Sequence, residues 1–163
     1  MKTDTHEEIS FTNSSAGIHL TKQEGAIAVD FKSSEVVLYL NTSLYHSLAW
    51  LIQSACDSKK LMDYITWTID PKSAKQSLVE VHGPDHSVCL VCSPNHERIQ
   101  LNFEIGLSID LKFNDFLGLA DLIKEAQSDL DWRRLLLQWT YCKESEEHKH
   151  NKDNWDNKNK KII

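Results

Sequence analysis

"VVLYLNTSLYHSLAWLIQSA" (residues 36–55) and "LSIDLKFNDFLGLADLIKEA" (residues 107–126) stand 71 positions apart, and reading them together decides the fold. Each begins with a short run of β-branched and alternating apolar residues, which predicts a strand. Each then passes polar residues able to cap a helix, Asn41, Thr42 or Ser43 in the first and Asn114 in the second. Each continues with apolar residues at helical spacing. Leu44, Leu48, Leu51, Ile52 and Ala55 form one stripe, and Phe116, Leu119, Leu122, Ile123 and Ala126 form the other. Leu48, Ala49, Leu51, Ile52 and Ala55 recur identically as Leu119, Ala120, Leu122, Ile123 and Ala126.

Working outward, "GIHLTKQEGAIAVDF" (17–31) falls against "CLVCSPNHERIQLNF" (89–103) at an offset of 72. Both read as two strands around a tight connection, and Gly25 can take the positive φ that the first connection needs. The expected architecture is therefore α+β: an antiparallel sheet built from two similar βββα units, 17–56 and 88–127, with covering helices. Two unrelated amphipathic helices after meanders would also share Leu and Ala, so duplication is one of two readings. Residues 9–13 read as an edge strand after a frayed start, 61–70 as a strand, and 77–82 as a further strand extending the sheet. A final helix over about 130–142 places Trp132, Leu135, Leu136 and Trp139 on one face. Residues 1–142 are expected to form a single domain. The charged, amide-rich stretch 143–163 has too little apolar surface to order, and is expected to be a mobile polar tail.

Charge narrows the classes of function. The chain carries 18 Lys and Arg against 24 Asp and Glu, a net charge of −6. Residues 143–161 hold six lysines and five acids, which leaves 12 basic against 19 acidic residues elsewhere, or −7. Such a body lacks the basic surface that displaces counterions from phosphates, so nucleic acid is not the expected partner. A basic or neutral protein surface is, through electrostatic steering. The longest wholly apolar run is "VVLYL", far short of a membrane span, and "MKTDTHEEIS" does not read as a signal peptide. The expectation is a soluble cytoplasmic protein with reduced cysteines and no membrane partner.

The two helices differ most at Trp50, about 200° around the helix from Leu48, where the second unit has Asp121. A large aromatic on a nominally wet face either packs beneath the last helix and tail or meets a partner. Trp50, His46 and Asp121, with Arg133 and Arg134 from the polar side of the last helix, are the candidate partner-binding residues.

The chemistry-bearing alternative is "HGPDHSVCLVCSPNHE" (82–97), in which His86, Cys89, Cys92 and His96 superficially resemble zinc-ligand spacing. A zinc knuckle needs a tight turn between its cysteines, whereas Leu90 and Val91 lie inside an expected strand. Positions three apart in a strand point to opposite faces. Metal ligands are therefore not assigned, and no cofactor or catalytic residue is. The function expected from sequence is a non-enzymatic protein-binding module, of an acidic inhibitor, immunity or adaptor type, with homodimerisation allowed. A small-ligand or zinc module centred on 82–97 is the alternative. An enzyme using Cys and His is a second alternative.

Overall fold

A computed structural model of the chain describes residues 1–23, 25–73 and 78–138. Five strands come first: β1 (Lys2–Asp4), β2 (Glu8–Thr12), β3 (Ala16–Thr21), β4 (Ile27–Phe31) and β5 (Val36–Leu40). They pair antiparallel in chain order. Helices α1 (Thr42–Asp57) and α2 (Lys59–Ile65) follow. A second antiparallel meander holds β6 (Val79–His82), β7 (Val88–Ser93), β8 (Arg98–Phe103) and β9 (Leu107–Lys112). Helix α3 (Phe113–Ser128) and helix α4, over 130–138, end the described chain. The α+β class is as expected, and the strands divide into two sheets of five and four.

Each sheet buries one face because its strands alternate. Ile27, Val29 and Phe31 of β4 are buried while Ala28 and Asp30 are partly exposed. In β7, Val88, Leu90 and Cys92 are buried and the residues between them are not. Registers align the inward residues across strands: Ile18 with Val29 and Val29 with Leu38, then Leu90 with Leu101 and Leu101 with Ile109.

The helices cross over. Helix α1, which leaves the first sheet, packs on β6 and β7 of the second, and α3, which leaves the second, packs on β2 and β3 of the first. One hydrophobic cluster consequently draws on both sheets and on all four helices, including Leu20, Leu48, Leu61, Leu101, Leu122 and Trp132. A helix this amphipathic must bury its stripe somewhere, and each finds the other unit's sheet.

The turns are also alike at equivalent positions. Gly25 (φ 62°) and Glu97 (φ 56°) are left-handed in the β3–β4 and β7–β8 connections. Glu35 (φ 52°) and Gly106 (φ 94°) are left-handed in the β4–β5 and β8–β9 connections. Each pair holds one glycine and one glutamate.

Three expectations need correction. Residues 61–70 are not a strand: Leu61 and Ile65, both buried and four apart, belong to α2. Its start is capped by Ser58, whose Oγ accepts from the Leu61 amide, and β-branched and aromatic residues nearby disguised the helical spacing. Residues 9–13 are not an edge strand, because β1 pairs outside β2 through Thr3 and Ser10. Asn114 does not cap α3. The capping position is Lys112, whose side chain makes no capping bond. The expected tail at 143–163, and Trp139, lie outside the described residues. No helix among the described residues is long and apolar enough to cross a membrane.

Candidate binding site

Helix α1 begins where the Asn41 side chain accepts a hydrogen bond from the Leu44 amide, 2.8 Å. Its crossing onto the second sheet buries Tyr45, Leu48, Leu51, Ile52 and Ala55 and leaves His46, Trp50, Gln53 and Asp57 on the outer stripe. Trp50 is 48% exposed, a high value for an indole. Helix α4 is started by Asp129, whose carboxylate accepts from the Trp132 amide at 2.9 Å. The Lys2 ammonium lies 2.8 Å from the same carboxylate, anchoring β1 to the head of α4. Partial burial pushes the Asp129 carboxyl up, but Lys2 and the Trp132 amide outweigh it and hold it below the ordinary range. With its start fixed in this way, α4 buries Trp132 and Leu136 and keeps Arg133, Arg134 and Leu137 outside.

Between α1 and α4 lies an open cleft of about 560 Å³, lined among others by Tyr45, His46, Leu130, Trp132, Arg133 and Arg134. The floor is aromatic. Trp132 meets Phe11 and Tyr45 edge-to-face, at centroid distances of 5.6 and 5.9 Å. Trp132 is 0% and Tyr45 1% exposed, and the indole N–H faces the phenol oxygen without closing a hydrogen bond of ordinary geometry. Burial pushes the Tyr45 phenol far above its usual range, an effect the Trp132 indole only tempers, so the hydroxyl is a neutral donor at any physiological pH. The rim is cationic. Among the described residues, no ion pair engages Arg133 or Arg134 and no carboxylate lines the cleft. Leu130 and Leu137, 56% and 71% exposed, supply apolar walls.

Of the residues singled out from sequence, His46, Arg133 and Arg134 therefore meet around one cleft. Trp50 lies one turn along α1 from His46, on the same outer stripe but outside the lining. Asp121 is exposed on α3 and is not part of the cleft. Its charge adds to burial and to Asp57 in pushing the Cys56 thiol up. Trp132 lies on the expected buried face of the last helix and is core, whereas Tyr45 is not on the expected stripe of α1 and yet is buried, while Leu44 of that stripe is partly exposed. What marks them is a polar tip on a fully buried ring, which periodicity does not register.

The 82–97 stretch is splayed. His86 sits in a turn at φ 60°, with its ring 6.1 Å from that of His82. Cys92 faces the interior, where burial pushes its thiol up to about 11, whereas Cys89 lies on the opposite, half-exposed face. His96 is exposed in the one-turn segment after β7, beside Trp67, Arg98 and Lys112. Among the described residues, no group of three or more His, Cys, Asp or Glu is placed to hold a metal ion.

Comparison of the chain with protein-family models, with curated proteins and with solved structures returned no match.

Proposed function

We propose that the protein is a non-enzymatic binding module that engages a macromolecular partner through the α1–α4 face. The observation that carries this reading is the outer stripe of α1, where His46 and the half-exposed Trp50 run beside a cleft with two exposed arginines on its rim. Large aromatics and arginines are the residues that dominate binding energy when a partner desolvates them. The negative body steers a basic or neutral surface toward the molecule at long range, and the face supplies the short-range contacts. An inhibitor, immunity or adaptor role in the cytoplasm, with the partner a different protein or a second copy of the chain, fits these features.

Solution mass at micromolar concentration distinguishes self-association from a monomer. Affinity capture from the native lysate, followed by reconstitution with the purified captured protein, tests the partner. The expected result is a stoichiometric complex that Trp50→Ala weakens at least tenfold. A monomer whose captured proteins are retained equally by Trp50→Ala would sink the proposal.

A further inference from the structure

We propose that a second cleft, between β8, the start of α3 and the segment after α2, binds a phosphate monoester carried on a planar ring. It is built from elements other than the α1–α4 face, and the inference does not rest on the binding-module reading.

The starting observation is a pair of like charges. The register of β8 and β9 sets Arg98 directly opposite Lys112. Both point outward, since Ile99 and Leu111 beside them are buried. Like charges that face each other across two strands repel and weaken the pairing. Among the described residues no ion pair engages either cation, and Asp110, two residues along β9, stands opposite Gln100. Both cations line a cleft of about 350 Å³, together with Trp67, His96, Glu97, Phe113 and Asn114. Glu97, the carboxylate of that lining, already lies 3.5 Å from the Lys72 ammonium. An anion seated between Arg98 and Lys112 turns their repulsion into two attractions. A guanidinium fork beside a compact ammonium suits a phosphate, which offers several acceptor oxygens at once. His96 adds a ring nitrogen able to donate. The start of α3, which no side chain caps, opens on the same cleft and reinforces the site without defining it.

The wall of the cleft selects what carries the phosphate. Trp67 is 50% exposed, and its backbone is left-handed at φ 60°, a conformation rare for a bulky side chain. Held there, the indole meets Phe113 edge-to-face at a centroid distance of 6.5 Å and stands beside the two cations. A half-exposed indole offers stacking surface to a planar ring whose phosphate reaches Arg98 and Lys112. The net charge of −6 disfavours a long polyanion, so the fitting ligand is a small one with a single charged group. A cleft of about 350 Å³ lies within the range of small-molecule sites. A mononucleotide combines these properties.

The probes are AMP, adenosine and inorganic phosphate, titrated into the full chain. The readout is the backbone amide resonances of Phe113 and Asn114, with the Trp67 indole N–H. AMP should shift them saturably, and adenosine and phosphate should each bind about tenfold or more weakly. Arg98→Gln with Lys112→Gln, both exposed, should bring AMP down to the affinity of adenosine. The same double variant should leave Tm unchanged or higher, because it removes the cross-strand repulsion. Trp67→Leu should bring AMP to the affinity of phosphate, read from the two amides. Equal binding of AMP and adenosine would overturn the proposal, and so would phosphate that binds as tightly as AMP. No response to AMP at tens of millimolar would overturn it as well.

Discussion

Asn13 Nδ2 donates to the Gly118 carbonyl at 2.8 Å across 105 residues, tying the β2–β3 turn to the middle of α3. Its counterpart in the other unit is Ser47 Oγ, which donates to Asp85 at 2.9 Å and ties the middle of α1 to the β6–β7 turn. Asn13 and Asp85 stand 72 residues apart, and Ser47 and Gly118 stand 71 apart, the offsets at which the two meander–helix stretches align. Both turn residues also accept from backbone amides just beyond them, Ser15 and Ala16 in one case and Ser87 in the other. The crossed helices are thus fastened at equivalent points by similar polar contacts. The α1–α4 cleft depends on this arrangement, because only a helix thrown across to the second sheet leaves its first turns beside α4.

Removing the Asn13 side chain takes away one bond to Gly118 and two to local amides. Asn13→Ala should cost about 1–2 kcal/mol, a loss of about 3–6 °C in Tm for a chain of this size. Denaturant unfolding monitored by tryptophan fluorescence gives the number. A change within about 0.3 kcal/mol would mean that the fastening contributes nothing.

Gly118 has a steric role at the same point. A Cβ there would lie 2.5 Å from Ser15 Cβ and Oγ. Gly118→Ala should destabilise by about 1–3 kcal/mol through overpacking, and Ser15→Gly should recover much of that loss. The double-mutant cycle measures the coupling directly. An additive pair would contradict the contact.

Much of this was legible in the chain. The strand–strand–strand–helix order at 17–56 and 88–127 follows from alternation and helical spacing, and Gly25 from turn chemistry. The exchange of helices was not legible, since periodicity says that Leu48 and Leu119 are buried but not against which sheet. Residues 61–70 misled because Tyr64, Ile65, Thr66, Trp67 and Thr68 favour a strand and outweighed the short helical spacing of Leu61 and Ile65. The binding cleft shows the same limit: His46 and Arg133 were visible singly as polar residues on helices, yet only the packing of α4 against α1 brings them together. Trp132 read as ordinary core and Tyr45 was passed over in favour of Leu44, because helical spacing admits either neighbour to the edge of the buried stripe.

The glutamate in one turn of each unit predicts a stabilising change. Glu35 adopts φ 52° on the surface, a conformation that strains an L side chain. Glu35→Gly should raise stability by about 0.5–1 kcal/mol after allowing for the greater freedom of glycine in the unfolded chain. Glu97→Gly should gain less, because Glu97 also lies 3.5 Å from Lys72. Equilibrium unfolding of the two variants side by side tests the order.

Lys2 and Asp129 set a pH dependence. The hydrogen bond to Asp129 raises the Lys2 ammonium above 10.5, and Asp129 is held below 3.8. A carboxyl depressed on folding stabilises above its unfolded value and loses that contribution as pH falls through the folded one; an ammonium raised on folding stabilises below its unfolded value and loses it above. The pair therefore acts from about pH 4 to about pH 10. Lys2→Met should lower Tm at neutral pH and show a smaller deficit at acid pH, below about pH 4, where protonation of Asp129 progressively releases the pair. An equal deficit at both pH values would mean that Lys2 acts through packing alone.

Tyr45 isolates the cost of one buried hydroxyl. Its hydroxyl is buried without a partner, and such a group costs about 1–3 kcal/mol relative to an apolar replacement of the same shape. The ring itself packs against Trp132, and phenylalanine preserves that contact. Tyr45→Phe should therefore leave Tm unchanged or raise it by several degrees, since about 2–4 °C accompanies each kcal/mol here. A variant that loses stability instead would show that Oη already has a partner inside the protein, and the floor would then be structural.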